Sequence, residues 1–129
     1  MPIVLIVDDD PDDIELTALA IEKTRQDVCV ISATDGKSAL TLLLEGNDLP
    51  DLIFLDLKMP GMSGVETLRE IRSADRLKNI PVVVVTSSSL ESDKHEAYSA
   101  GANDFAHKAF DLGRFNRDIH SLMRQWLQR

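Results

Sequence analysis

One stretch constrains the fold of this chain more than any other: Leu52-Ile53-Phe54-Leu55-Asp56-Leu57-Lys58-Met59-Pro60-Gly61. Four apolar residues run into one aspartate, and Met-Pro-Gly follows as a turn signal. A short apolar run closed by turn residues reads as a strand buried on both faces, the kind found in parallel sheets covered by helices. A carboxylate closing such a strand lies at the C-terminal edge of the sheet, where open α/β sheets bind ligands. Left unpaired in the interior it would be costly, so Asp56 is expected at the rim, with partners.

Four more stretches read as strands. Ile3-Val4-Leu5-Ile6-Val7 is apolar and β-branched, and it ends in Asp8-Asp9-Asp10-Pro11. Residues 28–32 form the second, residues 82–85 (all valine) the fourth, and Asp104-Phe105-Ala106-His107 a short fifth. The segments between them carry helix signals. Asp10 is a plausible N-cap with Pro11 at the first helical position. A broad stripe of Ile14, Ala18 and Ile21 beside Leu16 and Leu19 continues that helix to about Thr24. Asp35 caps a second helix carrying Ala39, Leu40, Leu43 and Leu44, which stops near Gly46-Asn47. Met62-Ser63-Gly64 opens a third, with Val65, Leu68, Ile71 and Leu77 inward. A fourth spans residues 90–100 with Gly101 as its stop. Its apolar content is thin, so it is expected to be the least firmly packed. Asp111 caps the last, whose Leu112, Phe115, Ile119, Leu122, Met123 and Trp126 recur at helical spacing. Strand and helix thus alternate five times. Parallel strands with right-handed crossovers follow. The predicted class is α/β: a doubly wound, five-stranded parallel sheet in the order 2-1-3-4-5, with five helices.

The bulk properties narrow the function. The 129 residues suit one domain, residues 1–129, with no linker, repeat or low-complexity tract. The net charge of −8 argues against nucleic acid and anionic lipid as partners. The absence of a long apolar run excludes a membrane helix, and the start lacks a basic n-region, which argues against a signal peptide. Cys29, between Val28 and Val30, reads as a small buried apolar residue without a disulfide partner. A cytoplasmic protein is expected.

Polar groups at the strand ends collect along one sheet edge. The first strand brings Asp8 and Asp9, the third Asp56, the fourth Thr86 and Ser87, and the fifth Lys108. In the order 2-1-3-4-5 these strands are consecutive neighbours. Three carboxylates in one cleft repel unless a cation intervenes, and an all-oxygen ligand set suits Mg²⁺. Asp56 then serves as nucleophile toward a phosphoryl group, forming an acyl phosphate. Lys108 neutralises phosphoryl oxygens, and the Thr86 hydroxyl with nearby backbone N–H groups completes the cradle. Taken singly, each residue has a blander reading. Asp8 and Asp9 suit a helix N-terminus, Asp56 a turn, Thr86 an ordinary strand end and Lys108 a solvated charge. Together they are the groups one reaction requires, delivered by four separate strands.

At these residues the chain resembles the receiver domain of two-component response regulators. The likeness spans essentially the whole chain. It is carried by Asp8-Asp9, by Asp56 with Met59-Pro60-Gly61 and Gly64, by Thr86-Ser87 after a valine-rich strand, by Ala100-Gly101-Ala102, and by Lys108. The resemblance implies a flavodoxin-like receiver fold with Asp56 as phosphoacceptor. It implies that Asp9 ligates Mg²⁺ directly, Asp8 mainly through water, and that Asp56 and the backbone carbonyl of Lys58 complete the protein ligands. Thr86, Ser87 and Lys108 would contact the phosphoryl group, and Phe105 stands at the aromatic switch position. Such a domain catalyses only its own aspartyl phosphorylation and dephosphorylation. Its partners would be a sensor histidine kinase or phosphotransfer protein and a downstream protein target, bound through helix 4, strand 5 and helix 5. The same face would pair two copies. The ending after Trp126 suggests a stand-alone regulator. The Asp-Pro-x-Asp start of the first helix, the extended 72–80 segment and the serine-rich loop resemble regulators paired with phytochrome-type kinases.

One departure stands out. The family has proline after the lysine, joined by a cis bond, and here Ala109 follows Lys108. A cis bond before a non-proline residue costs about 2.5–4 kcal/mol, which leaves the resting position of Lys108 open. His95 and His120 read as solvated helix residues and His107 as a packing or surface residue, since isolated histidines make no metal site. Two other functions compete with a phosphorylation switch. One is a constitutive receiver-fold adaptor that does not switch. The other is a haloacid-dehalogenase-type phosphatase, suggested by Asp8-x-Asp10 and Thr86, in which Asp8 rather than Asp56 would be the nucleophile.

Overall fold

The computed structural model describes residues 1–108 and 111–127. Five strands alternate with five helices: β1 (Ile3–Val7), α1 (Pro11–Thr24), β2 (Cys29–Ala33), α2 (Gly36–Glu45), β3 (Leu52–Leu55), α3 (Gly64–Ser73), β4 (Val82–Thr86), α4 (Glu91–Ser99), β5 (Asp104–His107) and α5 (Leu112–Trp126). The strands are all parallel in the order β2-β1-β3-β4-β5, so the predicted class and topology hold. The Lys108–Ala109 bond lies outside the described residues.

The sheet divides the core because successive side chains point to opposite faces. On one face Leu5, Val7, Ile53, Leu55, Val82 and Val84 pack beneath α2, α3 and α4. On the other, Val4, Ile6, Leu52, Phe54, Val83 and Val85 meet α1 and α5. Each such side chain removed from water contributes about 1.5–3 kcal/mol before entropy is counted. The three central strands are buried on both faces, as their unbroken apolar runs require.

The helix starts follow local chemistry. The Asp10 carboxylate accepts from the Asp12 N–H ahead of Pro11, and that of Asp35 accepts from Ser38. Ser63 and Glu66 form a reciprocal capping box at α3. At α5, Asp111 accepts from the Gly113 N–H. Only α4 lacks a side-chain cap among the described helices, and it buries a single residue, Ala97.

Some expectations need correction. Cys29 is half-buried rather than buried, because β2 is an edge strand with only Ala33 fully covered. The stripe on α1 is narrower than predicted: Thr17, Ala20 and Ile21 are buried, whereas Leu16 and Leu19 are 41% and 47% exposed. Leu44 on α2 and Leu112 on α5 are likewise exposed. In each case the helix lays one narrow face on the sheet, and flanking apolar residues stay at the solvent boundary.

Candidate functional site

β1 and β3 lie side by side, with Val7 opposite Leu55. The residues that follow them therefore leave the sheet together. The Asp56 N–H donates to the Val7 carbonyl at 2.9 Å, and the Asp8 N–H donates to that of Ala33 at 3.1 Å. These bonds extend the ladder one step past each strand and seat both aspartates at its rim. Asp8 is 4% exposed and Asp56 7%, while Asp9 is open to solvent. Carboxylate oxygens of Asp8, Asp9 and Asp56 all lie within 4.8 Å of one another.

Gly64 permits this placement. A Cβ there would sit 2.2 Å from the Asp56 carbonyl oxygen and 2.6 Å from the Leu57 Cα. The Gly64 N–H also donates to the Leu57 carbonyl at 2.9 Å. The start of α3 thus presses directly against the backbone that carries Asp56.

Lys108 follows β5, and its backbone N–H donates to the Thr86 carbonyl at 2.8 Å. From there its ammonium reaches into the acidic cluster. It donates to Asp8 Oδ2 at 2.9 Å and to Asp13 Oδ2 at 2.8 Å, and lies 3.5 Å from Asp56 Oδ2. Burial opposes the ammonium's charge, yet hydrogen bonds to Asp13 and Asp8 and the charge of Asp56 outweigh it, so its pKa rises. The Asp56 carboxyl is also raised, first by burial, then by the Asp8 charge; Lys108 only partly opposes this. The pocket therefore concentrates negative charge that one lysine does not fully compensate. Three convergent carboxylates, two of them buried, with net excess negative charge, fit a hard divalent cation.

Thr86 and Ser87 stand at the end of β4, beside β3. The Thr86 side chain is fully buried, and its hydroxyl oxygen accepts from the Ser88 N–H at 3.2 Å. His107 Nε2 lies 3.0 Å from the Ser87 carbonyl, an acceptor only, so this nitrogen carries the hydrogen. The loop is tied further: Asp93 accepts from the Ser88 hydroxyl and pairs with Lys58 Nζ at 3.3 Å. Phe105 is half-buried against the α2–α3–α4 side of the core. It borders a surface cavity of about 300 Å³ together with Ser88, Leu90, Lys94 and His107.

The structure therefore gathers Asp8, Asp9, Asp56 and Lys108 at one point, with Thr86, Ser87 and Phe105 on the neighbouring strands. The Lys58 side chain leaves the cluster for Asp93. Sequence reasoning did not single out Asp13, an acid in the first turn of α1 whose position by itself only suits the helix dipole. The available signal was its position one turn into a helix that starts directly after the Asp8-Asp9 strand end.

Comparison with known proteins shows the family and the fold. The family described as "Response regulator receiver domain" matches residues 4–120. The uncharacterized transcriptional regulatory protein YrkP of Bacillus subtilis is 36% identical over 123 residues, covering 95% of this chain and 50% of that protein. The chain spans about half the length of the first curated relatives it matches. Among solved structures, the phosphorylated cyanobacterial phytochrome response regulator RcpA superposes with a TM-score of 0.91 at 31% identity, over 98% of this chain and 94% of that one. The Mn²⁺-bound form of response regulator Rcp1 gives 0.89 at 31% identity, over 99% and 96%.

Proposed function

This chain belongs to the response regulator receiver family, and on that premise we propose that it is a phosphorylation-controlled binding protein, with Asp56 accepting the phosphoryl group. The observation that carries the reading is the Lys108 ammonium held among Asp8, Asp13 and Asp56 beside the three-carboxylate cluster. Asp8, Asp9 and Asp56, with the Lys58 carbonyl, would hold Mg²⁺. When bound, the cation supplies neutralisation of phosphoryl charge and of the crowded carboxylates. The similar response regulator Rcp1 has a Mn²⁺-bound form, which supports a divalent ion for this chain.

The chain's own residues then act as follows. An Asp56 carboxylate oxygen attacks phosphorus, and the bond from phosphorus to the donor's histidine nitrogen breaks. Lys108 offers its ammonium to a phosphoryl oxygen. Thr86 and Ser87, next to Asp56 at the sheet edge, donate to the remaining oxygens once the Thr86 hydroxyl leaves the Ser88 N–H. That movement vacates space beside β4, and Phe105 turns inward to fill it, altering the α4–β5–α5 face. Exposed Leu90, Tyr98 and Leu112 give this face apolar contact area for a protein target or a second copy. The domain turns over only its own acyl phosphate. The chain acts in the cytoplasm, and its donor is a sensor histidine kinase or phosphotransfer protein. A phytochrome-type kinase is favoured by the likeness to RcpA and Rcp1. No described helix is long and apolar enough to cross a membrane.

Titration with fluoroberyllate in the presence of Mg²⁺, followed by amide NMR, tests this reading. Saturable shifts around Asp56, Thr86 and Phe105 that vanish without Mg²⁺ are expected. Unchanged spectra would overturn the switch.

A further inference from the structure

We propose that Asp13 is a positioning residue that keeps Lys108 at the phosphoryl site when a cation engages the other acids. The inference rests on the reading of Asp56 as acceptor. An ammonium has three N–H donors. Here two go to Asp8 and Asp13, at 2.9 and 2.8 Å, while Asp56 stands at 3.5 Å. These partners differ in kind. Asp8 and Asp56 belong, with Asp9, to the cluster whose oxygens lie within 4.8 Å of one another. Asp13 is not one of those three.

A cation in that cluster draws on Asp8 and Asp56 and repels the lysine's like charge. Asp13 is then the carboxylate left to hold Lys108. Without it, a long side chain with large rotamer entropy would swing toward solvent, and the phosphoryl oxygens would have to recapture it. Local structure makes the role available. Asp10 caps α1 and Pro11 opens it, which puts Asp13 in the first turn, on the β1–α1 loop side of the pocket. The Asp13 side chain is 34% exposed against 18% for Lys108, so the tie is solvent-screened and releasable.

The test measures fluoroberyllate affinity with Mg²⁺ for wild type, Asp13→Asn, Asp13→Glu, Lys108→Met and the Asp13→Asn/Lys108→Met double variant. Asp13→Asn is expected to weaken binding about two- to fivefold, the upper range for a partly exposed charge pair acting on one bound state. Asp13→Glu should recover most of the loss. In the Lys108→Met background, Asp13→Asn should cost nothing further. A second readout needs no phosphoryl analogue: in Mg²⁺-loaded protein, the NMR signals of the Lys108 ε-methylene should move toward those of a free lysine in Asp13→Asn only. Unchanged or tighter binding in Asp13→Asn, or an equal loss in the Lys108→Met background, would overturn the positioning role alone. Failure of the wild type to bind fluoroberyllate would remove the acceptor reading and this inference together.

Discussion

At the scale of single residues, Asp56 is held where its charge is disfavoured. Its carboxyl pKa is raised by burial first and by Asp8 second. A carboxyl whose pKa is higher folded than unfolded adds stability below its unfolded value and loses that contribution as pH rises through the folded value. Cation-free protein should therefore lose stability as pH climbs from the acid range through the raised pKa of Asp56. Asp56→Asn, which carries no charge to desolvate, should flatten that loss and raise neutral-pH stability by on the order of 1 kcal/mol. Urea unfolding of both proteins with EDTA, from acid to neutral pH, checks this, and Mg²⁺ should narrow the difference. Lys108→Met should do the opposite. It strips the counter-charge from Asp8, Asp13 and Asp56 and should cost about 1–3 kcal/mol without cation, again read by urea unfolding. The aspartates that end strands were legible because an apolar run followed by an acid fixes both the element and its rim. Asp13 was not, because its partner is 95 residues away in the chain and local spacing offered a sufficient reason for an acid there. The environment of Cys29 was misread because apolar neighbours in sequence do not reveal which strand lies at the sheet edge.

Among the elements, the β3–α3 junction and α4 are opposites. At the junction, Gly64 packs on the Asp56 and Leu57 backbone at distances no side chain tolerates. Gly64→Ala should cost about 2–4 kcal/mol through displaced backbone. It should also weaken fluoroberyllate binding, since the displaced atoms carry the acceptor; denaturation and titration of one sample measure both. α4 has no side-chain cap and buries only Ala97, whereas α5 buries Phe115, Ile119, Leu122 and Met123. Native-state amide exchange should therefore find α4 opening at a lower free energy than α5. Comparable protection in the two would contradict the view of α4 as the more loosely held helix of the pair. Helix existence and caps were readable from Asp10-Pro11, Asp35, Ser63 and Asp111, whose side chains bond the N–H groups their spacing assigns. The width of the buried stripes was less readable, as exposed Leu16, Leu19 and Leu44 show. Apolar character marks a helix face, while the way the helix seats on the sheet sets how much of that face is covered.

Across the whole molecule, the strand order makes the site. Because β1 stands between β2 and β3, and β4 and β5 follow on the far side, the ends of β1, β3, β4 and β5 form one continuous edge. Acids, a hydroxyl and a lysine from segments about a hundred residues apart meet there with no loop reaching across. That much followed from alternating strand and helix signals, since the handedness of parallel crossovers leaves few arrangements. The partner did not follow, because the α4–β5–α5 face records apolar exposure and not the shape that covers it. The central claim is that this edge makes one aspartyl oxygen phosphorylatable in the presence of a divalent cation. Intact-mass analysis after incubation with a phosphorylated histidine kinase and Mg²⁺ tests it most directly. A single added phosphoryl group, absent in Asp56→Asn and absent with EDTA, is the predicted result. A full-mass adduct that survives Asp56→Asn, or none under any condition that phosphorylates another receiver with the same kinase, would contradict it.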